Sequence, residues 1–171
     1  MTTVFSPVPR GIPALLRRAP ANDLDYPMPT IVQRWADAWN TADAKAMAGL
    51  FAEDGIYDDH AFQVRSQGRA CLETWVAMTC GNIPDAHAEV LEVFGLEVFG
   101  NGSRAAIRWI FSGTPTAFGS ASLTGKSFSV PVASLFELTG DSIQQVSDYY
   151  SLADVLRQIG LPSGPWVPPA P

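Results

Sequence analysis

The spacing of apolar and polar residues changes several times along the chain, and each change marks an element. From Thr30 to Asn40, Ile31, Val32, Trp35, Ala38 and Trp39 recur at intervals that place them on one face of an α-helix. Pro29 suits the first turn of that helix. A second short helix is expected from about Asp43 to Ala52, with Ala46, Met47, Leu50 and Phe51 as its apolar face and Thr41 or Asp43 as its cap. Glu53-Asp54-Gly55 then interrupts the helical period. Ile56 to His60 reads as a short strand, and Phe62 to Ser66 as its ragged continuation. A third helix opens at Gly68-Arg69 and runs to Thr79, turning Leu72, Trp75, Val76 and Thr79 to a sheet, until Gly81-Asn82-Ile83-Pro84 ends it.

Beyond His87 the period is that of strands. Ala86 to Phe99 is rich in Val, Leu and Phe, and its near-repeat around Gly95 reads as one strand with a glycine bend. Gly100-Asn101-Gly102 is a hairpin turn. Arg104 to Gly113 returns, Thr114 to Ser122 is a small-residue loop, and Ser127 to Leu138 is the next strand. Gly140-Asp141 turns the chain into a last strand, Ser142 to Tyr150, and Leu152 to Ile159 closes it as a short helix. Three helices followed by a long antiparallel meander predict an α+β fold. A strongly curved antiparallel sheet packed by three N-terminal helices makes a cone with an apolar interior, a natural small-molecule pocket.

Length and composition narrow the possibilities. The chain has 171 residues, close to one domain, with 47% hydrophobic and 16% charged residues, which excludes a disordered chain. Residues 1–28 read as an irregular extension, 29–161 as a single domain, and 162–171 as a Pro-rich tail carrying Trp166. The N-terminal stretch, with Pro7, Pro9, Pro13 and Arg17-Arg18, has no apolar core of a secretory signal. No apolar run is long enough for a transmembrane helix. The net charge of −6 and the lack of a basic stripe argue against nucleic-acid and membrane partners. Two cysteines, Cys71 and Cys80, lie on different faces of one helix, too far apart to bridge, and read as buried structural thiols in a reducing cytoplasm. No nucleotide-binding glycine motif, nucleophile elbow or metal-ligand spacing is present, so neither cofactor nor metal is expected.

The order of elements and several local motifs resemble the nuclear-transport-factor-2-like fold, most closely its SnoaL-like polyketide cyclase and limonene-epoxide-hydrolase branches. The residues that carry the resemblance are Arg34-Trp35-Ala36-Asp37-Ala38-Trp39-Asn40, Leu50-Phe51-Ala52-Glu53-Asp54-Gly55 and Gly68-Arg69. To these are added Leu123-Thr124-Gly125-Lys126, Gly140-Asp141-Ser142-Ile143, and Ser147-Asp148-Tyr149-Tyr150-Ser151-Leu152 running into Leu156-Arg157-Gln158-Ile159-Gly160. The resemblance spans about Pro29 to Leu161. It implies a cofactor-independent enzyme acting on an apolar, polyketide-like intermediate by acid/base chemistry. Because the fold hosts many functions, the site must decide between this and two alternatives, an epoxide-opening enzyme with an altered triad and a non-catalytic binding or dimerisation module.

Four residues are the candidates for chemistry. Asp148 shares a strand face with Val146 and Tyr150; on an inner face it is a carboxylate whose pKa burial would raise towards the range of a general acid or base. The resemblance implies acid/base work for the Asp at this position; the competing roles are a solvated rim carboxylate or a helix cap. Tyr57 and Asp59 share another face, away from Asp58. In the epoxide hydrolases the matching positions hold a Tyr and an Asn that bind the water nucleophile, and Asp59 departs from that Asn. Arg108 is placed with Ile110 on a face expected to be internal, where the same enzymes have Arg-x-Asp; here the acid is replaced by Ile110. Trp35, His60, Trp75, His87, Ile110 and Tyr150 are expected to line the substrate pocket. The strand from Arg104 is apolar on both faces, so Ile107, Trp109 and Phe111 are assigned to a covered outer face and a homodimer is expected.

Overall fold

The computed structural model describes residues 30–99, 102–118, 121–122 and 125–162. The N-terminal extension, the Pro-rich tail and most of the Gly100-Asn101-Gly102 turn lie outside them. Helix α1, Thr30–Asn40, forms as its periodicity requires and buries Val32, Trp35, Ala36, Ala38 and Trp39. Helix α2, Ala44–Gly49, is capped by Asp43, whose carboxylate accepts from the Ala46 N–H at 2.8 Å. It stops short of Ala52 because Phe51 already belongs to strand β1, Phe51–Asp59. Glu53-Asp54-Gly55 therefore lies inside a strand, where the register irregularity between Phe51 and Ile56 absorbs the turn-like residues.

Strand β2, Val64–Gln67, is not a continuation of β1 but folds back antiparallel on it. Helix α3 runs from Arg69 to Asn82 and buries Leu72, Val76 and Cys80; Cys71 on the same helix is exposed, contrary to its expected burial, and both thiols are free. Strands β3, His87–Phe99, and β4, Gly102–Gly113, form a long antiparallel hairpin whose register shifts between Phe94 and Leu96, around Gly95. The predicted loop after β4 contains a miniature pairing of β5, Ala117–Phe118, with β6, Ala121–Ser122. Strands β7, Phe128–Thr139, and β8, Ser142–Tyr149, and helix α4, Leu152–Gln158, follow, the last capped by the Ser151 side chain.

The main sheet has the order β2-β1-β8-β7-β4-β3. The expectation of an antiparallel sheet throughout is corrected at one place: β8 returns to pair parallel with β1 while remaining antiparallel to β7. The fold is α+β, an unclosed mixed sheet with helices packed on it. That parallel pairing matters for the site, because it puts Asp59 and Asp148 opposite one another in register on adjacent strands.

Strand β7 alternates without a break, with Phe128, Val130, Val132, Ser134, Phe136 and Leu138 buried and the residues between them exposed. Residues directly opposite in an antiparallel pair share a face. Ile107 pairs with Ser134 and Trp109 with Val132, so Ile107 and Trp109 point into the core, both nearly inaccessible. The assignment of the two β4 faces made from the sequence is thus reversed: Ile107, Trp109 and Phe111 face inward, and Arg108 and Ile110 face out. An interface built on the first set has no basis.

Candidate active site

Residues of β1, β2, β4 and β8 meet helices α1 and α3 around a cavity of about 400 Å³. Its polar floor is Asp148 and Asp59; its walls are Trp39, Phe62, Trp75, Trp109, Phe111 and Tyr150. A second chamber of about 280 Å³ shares Phe62, Ile83 and Phe111 with it and continues to Phe128, Val155 and Ile159.

Asp148 is 4% exposed, and both its carboxylate oxygens are held. The Tyr57 hydroxyl donates to Oδ2 at 2.7 Å and the Ser134 hydroxyl to Oδ1 at 2.6 Å. Ser134 Oγ in turn accepts from the indole N–H of Trp109 at 2.7 Å. Burial raises the Asp148 pKa to about 7; the bonds from Ser134 and Tyr57 oppose the rise, and the charge of nearby Asp59 adds to it. Both protonation states of Asp148 are therefore populated near neutral pH. Burial, and then the adjacent Asp148 carboxylate, push the Tyr57 hydroxyl well above its usual range, so Tyr57 stays a donor.

Asp59 closes the turn into β2, accepting at Oδ1 from the N–H groups of Ala61 and Phe62 at 3.0 and 2.9 Å. Its other oxygen accepts from the Tyr150 hydroxyl at 2.8 Å. Burial raises the Asp59 pKa and these three donors pull it back. Asp59 is thus both a strand-end turn residue and a wall of the cavity.

Of the residues singled out in the sequence, Asp148, Asp59, Trp75 and Tyr150 line the cavity and Tyr57 lies behind it on Asp148. Arg108 does not: its guanidinium donates to Glu92 at 2.7 Å on the outer face, half exposed. Ile110 shares that outward parity and is not among the lining residues. Trp35 is wholly buried in the core, edge-on to Trp109 and Phe136, instead of in the pocket. His60 stacks on the exposed ring of Tyr149 at 4.3 Å, and His87 is exposed at the start of β3. Other residues of the site are not among those expected: Trp109 and Phe111, assigned from the sequence to the outer face, line the cavity with Trp39 and Phe62, and Ser134, which holds Asp148, is a lone polar residue in the otherwise apolar inner stripe of β7, a break in pattern that is the signal available for it. Among the described residues no group of His, Cys, Asp or Glu has the arrangement of a metal site, and no helix is long and apolar enough to cross a membrane.

The unclosed, curved α+β sheet with helices packed on it places the chain in the class of ketosteroid isomerase-like folds. Within that class the chain belongs to the SnoaL-like family: the model of the SnoaL-like domain matches residues 32–146. The chain is similar, at 33% identity, to a protein of ketosteroid isomerase-like fold from Catenulispora acidiphila solved in complex with trimethylamine; the match covers 83% of this chain and 100% of that one, with a TM-score of 0.68. It shares its fold with candidate polyketide cyclases from Xanthomonas campestris (20% identity, 76% and 94% covered, TM-score 0.62) and Pseudomonas putida (23%, 75% and 94%, TM-score 0.61). No curated protein shows significant sequence similarity to the chain.

Proposed function

We propose that the protein is a cyclase or isomerase that moves a proton within a small organic substrate, with Asp148 as the general acid/base. The observation that carries this is the state of Asp148: buried at the floor of an open cavity, with a pKa of about 7 and both oxygens oriented by donors. A general base works best when its pKa lies near the working pH. Each oxygen of Asp148 retains a lone pair for a substrate proton after Tyr57 and Ser134 have donated. Proton abstraction next to a carbonyl, with a donor to the enolate oxygen and then return of the proton elsewhere or carbon–carbon closure, begins with such a base in a cavity that holds the chain folded. A purely structural module would more naturally fill its cone or turn Asp148 to solvent; here the cone is open and Asp148 faces into it.

The test is exchange of solvent deuterium into β-tetralone, an enolisable bicyclic ketone sized for the cavity, followed by NMR. Exchange faster than buffer, and lost in Asp148→Asn, supports the proposal. Exchange no faster than buffer, or unchanged in that variant, overturns it.

A further inference from the structure

The cavity is lined by two carboxylates and by no cationic side chain, neither Lys, Arg nor His. The ion pairs of the described residues (Arg65 and the imidazole of His60 with Asp58, Arg104 with Glu137, Arg108 with Glu92, Arg157 with Asp154) lie outside the cavity and none involves Asp59 or Asp148; His60 acts on Asp59 only through its charge, the smallest of the influences on that carboxyl. A buried carboxylate without a counter-charge is costly, and the cost is relieved by whatever brings a positive group to it.

The hydroxyl donors around the two carboxylates are committed; the indole N–H of Trp39 is buried without a partner, and Asn82 at the cavity wall uses its side-chain oxygen to accept from Thr116 and Ala117. The hydroxyls of Tyr57 and Ser134 donate to Asp148, that of Tyr150 to Asp59, and that of Thr79 to the Trp75 carbonyl. What Asp59 and Asp148 leave to a ligand is acceptor capacity, so the ligand end that meets them is expected to be its donor, or positive, end.

The aromatic walls fit the same conclusion. Trp39 and Trp75 meet at 85° with centroids 5.8 Å apart, and Phe111 and Tyr150 at 78° and 6.2 Å. The wall rings thus differ in orientation, from 45° between Trp39 and Phe111 to 85° between Trp39 and Trp75, and surround a compact group from several directions. The negative faces of indole and phenyl rings attract a compact cation, best where water is excluded. The chain's net charge of −6 favours the approach of a cation from solution.

From these observations we infer that the cavity recognises an organic cation, an alkylated or protonated amine whose charge lies against Asp59 and Asp148 and is boxed by Trp39, Trp75, Phe111 and Tyr150. The inference rests on the cavity being the ligand site, as proposed above, and it names the substrate class as a hydrophobic amine.

The test is calorimetric titration with phenyltrimethylammonium and with tert-butylbenzene, its uncharged carbon isostere of the same shape. The expected result is that the cation binds at least about tenfold more tightly, although only the isostere is free of a hydration penalty. That preference should shrink in Asp59→Asn and in Asp148→Asn and vanish when both are changed, while affinity for tert-butylbenzene is kept, which also reports that the variants are folded. Equal or tighter binding of the isostere to the unaltered protein, no binding of the cation, or a preference that survives the double substitution would each overturn the inference. The titrations involve no turnover and β-tetralone carries no charge. Loss of the cation preference with exchange intact refutes only the ligand class, and the reverse outcome refutes only the acid/base role.

Discussion

The indole N–H of Trp109 donates to Ser134 Oγ, and the Ser134 hydroxyl donates onward to Asp148 Oδ1. A serine hydroxyl has one proton. Once Trp109 occupies its oxygen as an acceptor, that proton is directed to the carboxylate. A residue two strands away, in the order β8-β7-β4, thereby sets the hydrogen bonding of the group proposed to do chemistry.

Removing the relay at its centre should change both acidity and stability. Ser134→Ala deletes a bond that lowers the Asp148 pKa and leaves a buried indole N–H without its acceptor. The rise of the exchange rate with pH, which follows deprotonation of Asp148, is expected to move to higher pH, and unfolding free energy to drop by ~1–3 kcal/mol. Trp109→Phe, which keeps a ring but frees the serine to rotate, should shift the profile in the same direction by less. A pH profile identical to wild type in Ser134→Ala would show that the serine does not tune Asp148.

Tyr57→Phe tests the other oxygen. The Tyr57 ring packs at 4.6 Å from Trp75 and 5.9 Å from Phe51, contacts that Phe retains. Only the bond to Oδ2 is lost, so the pKa of Asp148 should rise again, visible as a shifted profile with little change in affinity for tert-butylbenzene. Combining Tyr57→Phe with Ser134→Ala should raise it more than either alone, since both hydroxyls act on one carboxylate.

How much of this could be read from the sequence depended on how cleanly each strand alternates. Asp148 and Tyr150 do share the cavity as their parity requires, with Tyr149 exposed, although Ser147 on the other face is covered too. On β1 the parity of Tyr57 and Asp59 against Asp58 holds too, with Asp58 accepting from Arg65 at 2.7 Å outside. Strand β4 carries Ile107, Trp109 and Phe111 on one side and Ile110 on the other, so its own pattern does not say which face is internal. The answer lies in its neighbour: β7 alternates strictly, and its register transfers the inner face to Ile107 and Trp109. Without that register the apparent Arg-x-Asp match drew Arg108 inward. The parallel pairing of β1 with β8 was invisible for a different reason, being a contact between strands more than eighty residues apart, with Asp59 opposite Asp148.

Arg108 supplies the corresponding check. Because it faces outward onto Glu92, Arg108→Ala should leave the rate of deuterium exchange and its pH dependence as they are in wild type. Thermal unfolding should also be nearly unchanged, since exposed ion pairs contribute little. A marked loss of exchange in Arg108→Ala would mean that the outer face of β4 participates in catalysis.

The final prediction concerns the pH dependence of stability. In the unfolded chain Asp148 titrates near 3.9, and in the folded protein at about 7. Between those values the native state holds a proton that the unfolded state has released. For this group, stability is therefore greatest below about pH 4, falls as pH rises through that window, and is level above about 7. The full difference is ~4 kcal/mol at most. Asp59, also raised by burial, contributes in the same direction. Asp148→Asn cannot titrate, so its stability should decline less steeply, and the gap between variant and wild type should move in the variant's favour from pH 5 to pH 8. Its absolute offset is a poorer guide. The carboxylate accepts from both Tyr57 and Ser134, whereas the amide must turn its NH₂ towards one of them, a mismatch of ~1–3 kcal/mol that does not vary with pH. Denaturant unfolding of both proteins at several pH values separates the two effects: the offset reports the mismatch, and the slope reports the charge. Parallel curves would mean that Asp148 does not titrate between pH 5 and 8, and the proposed acid/base role would lose its physical basis.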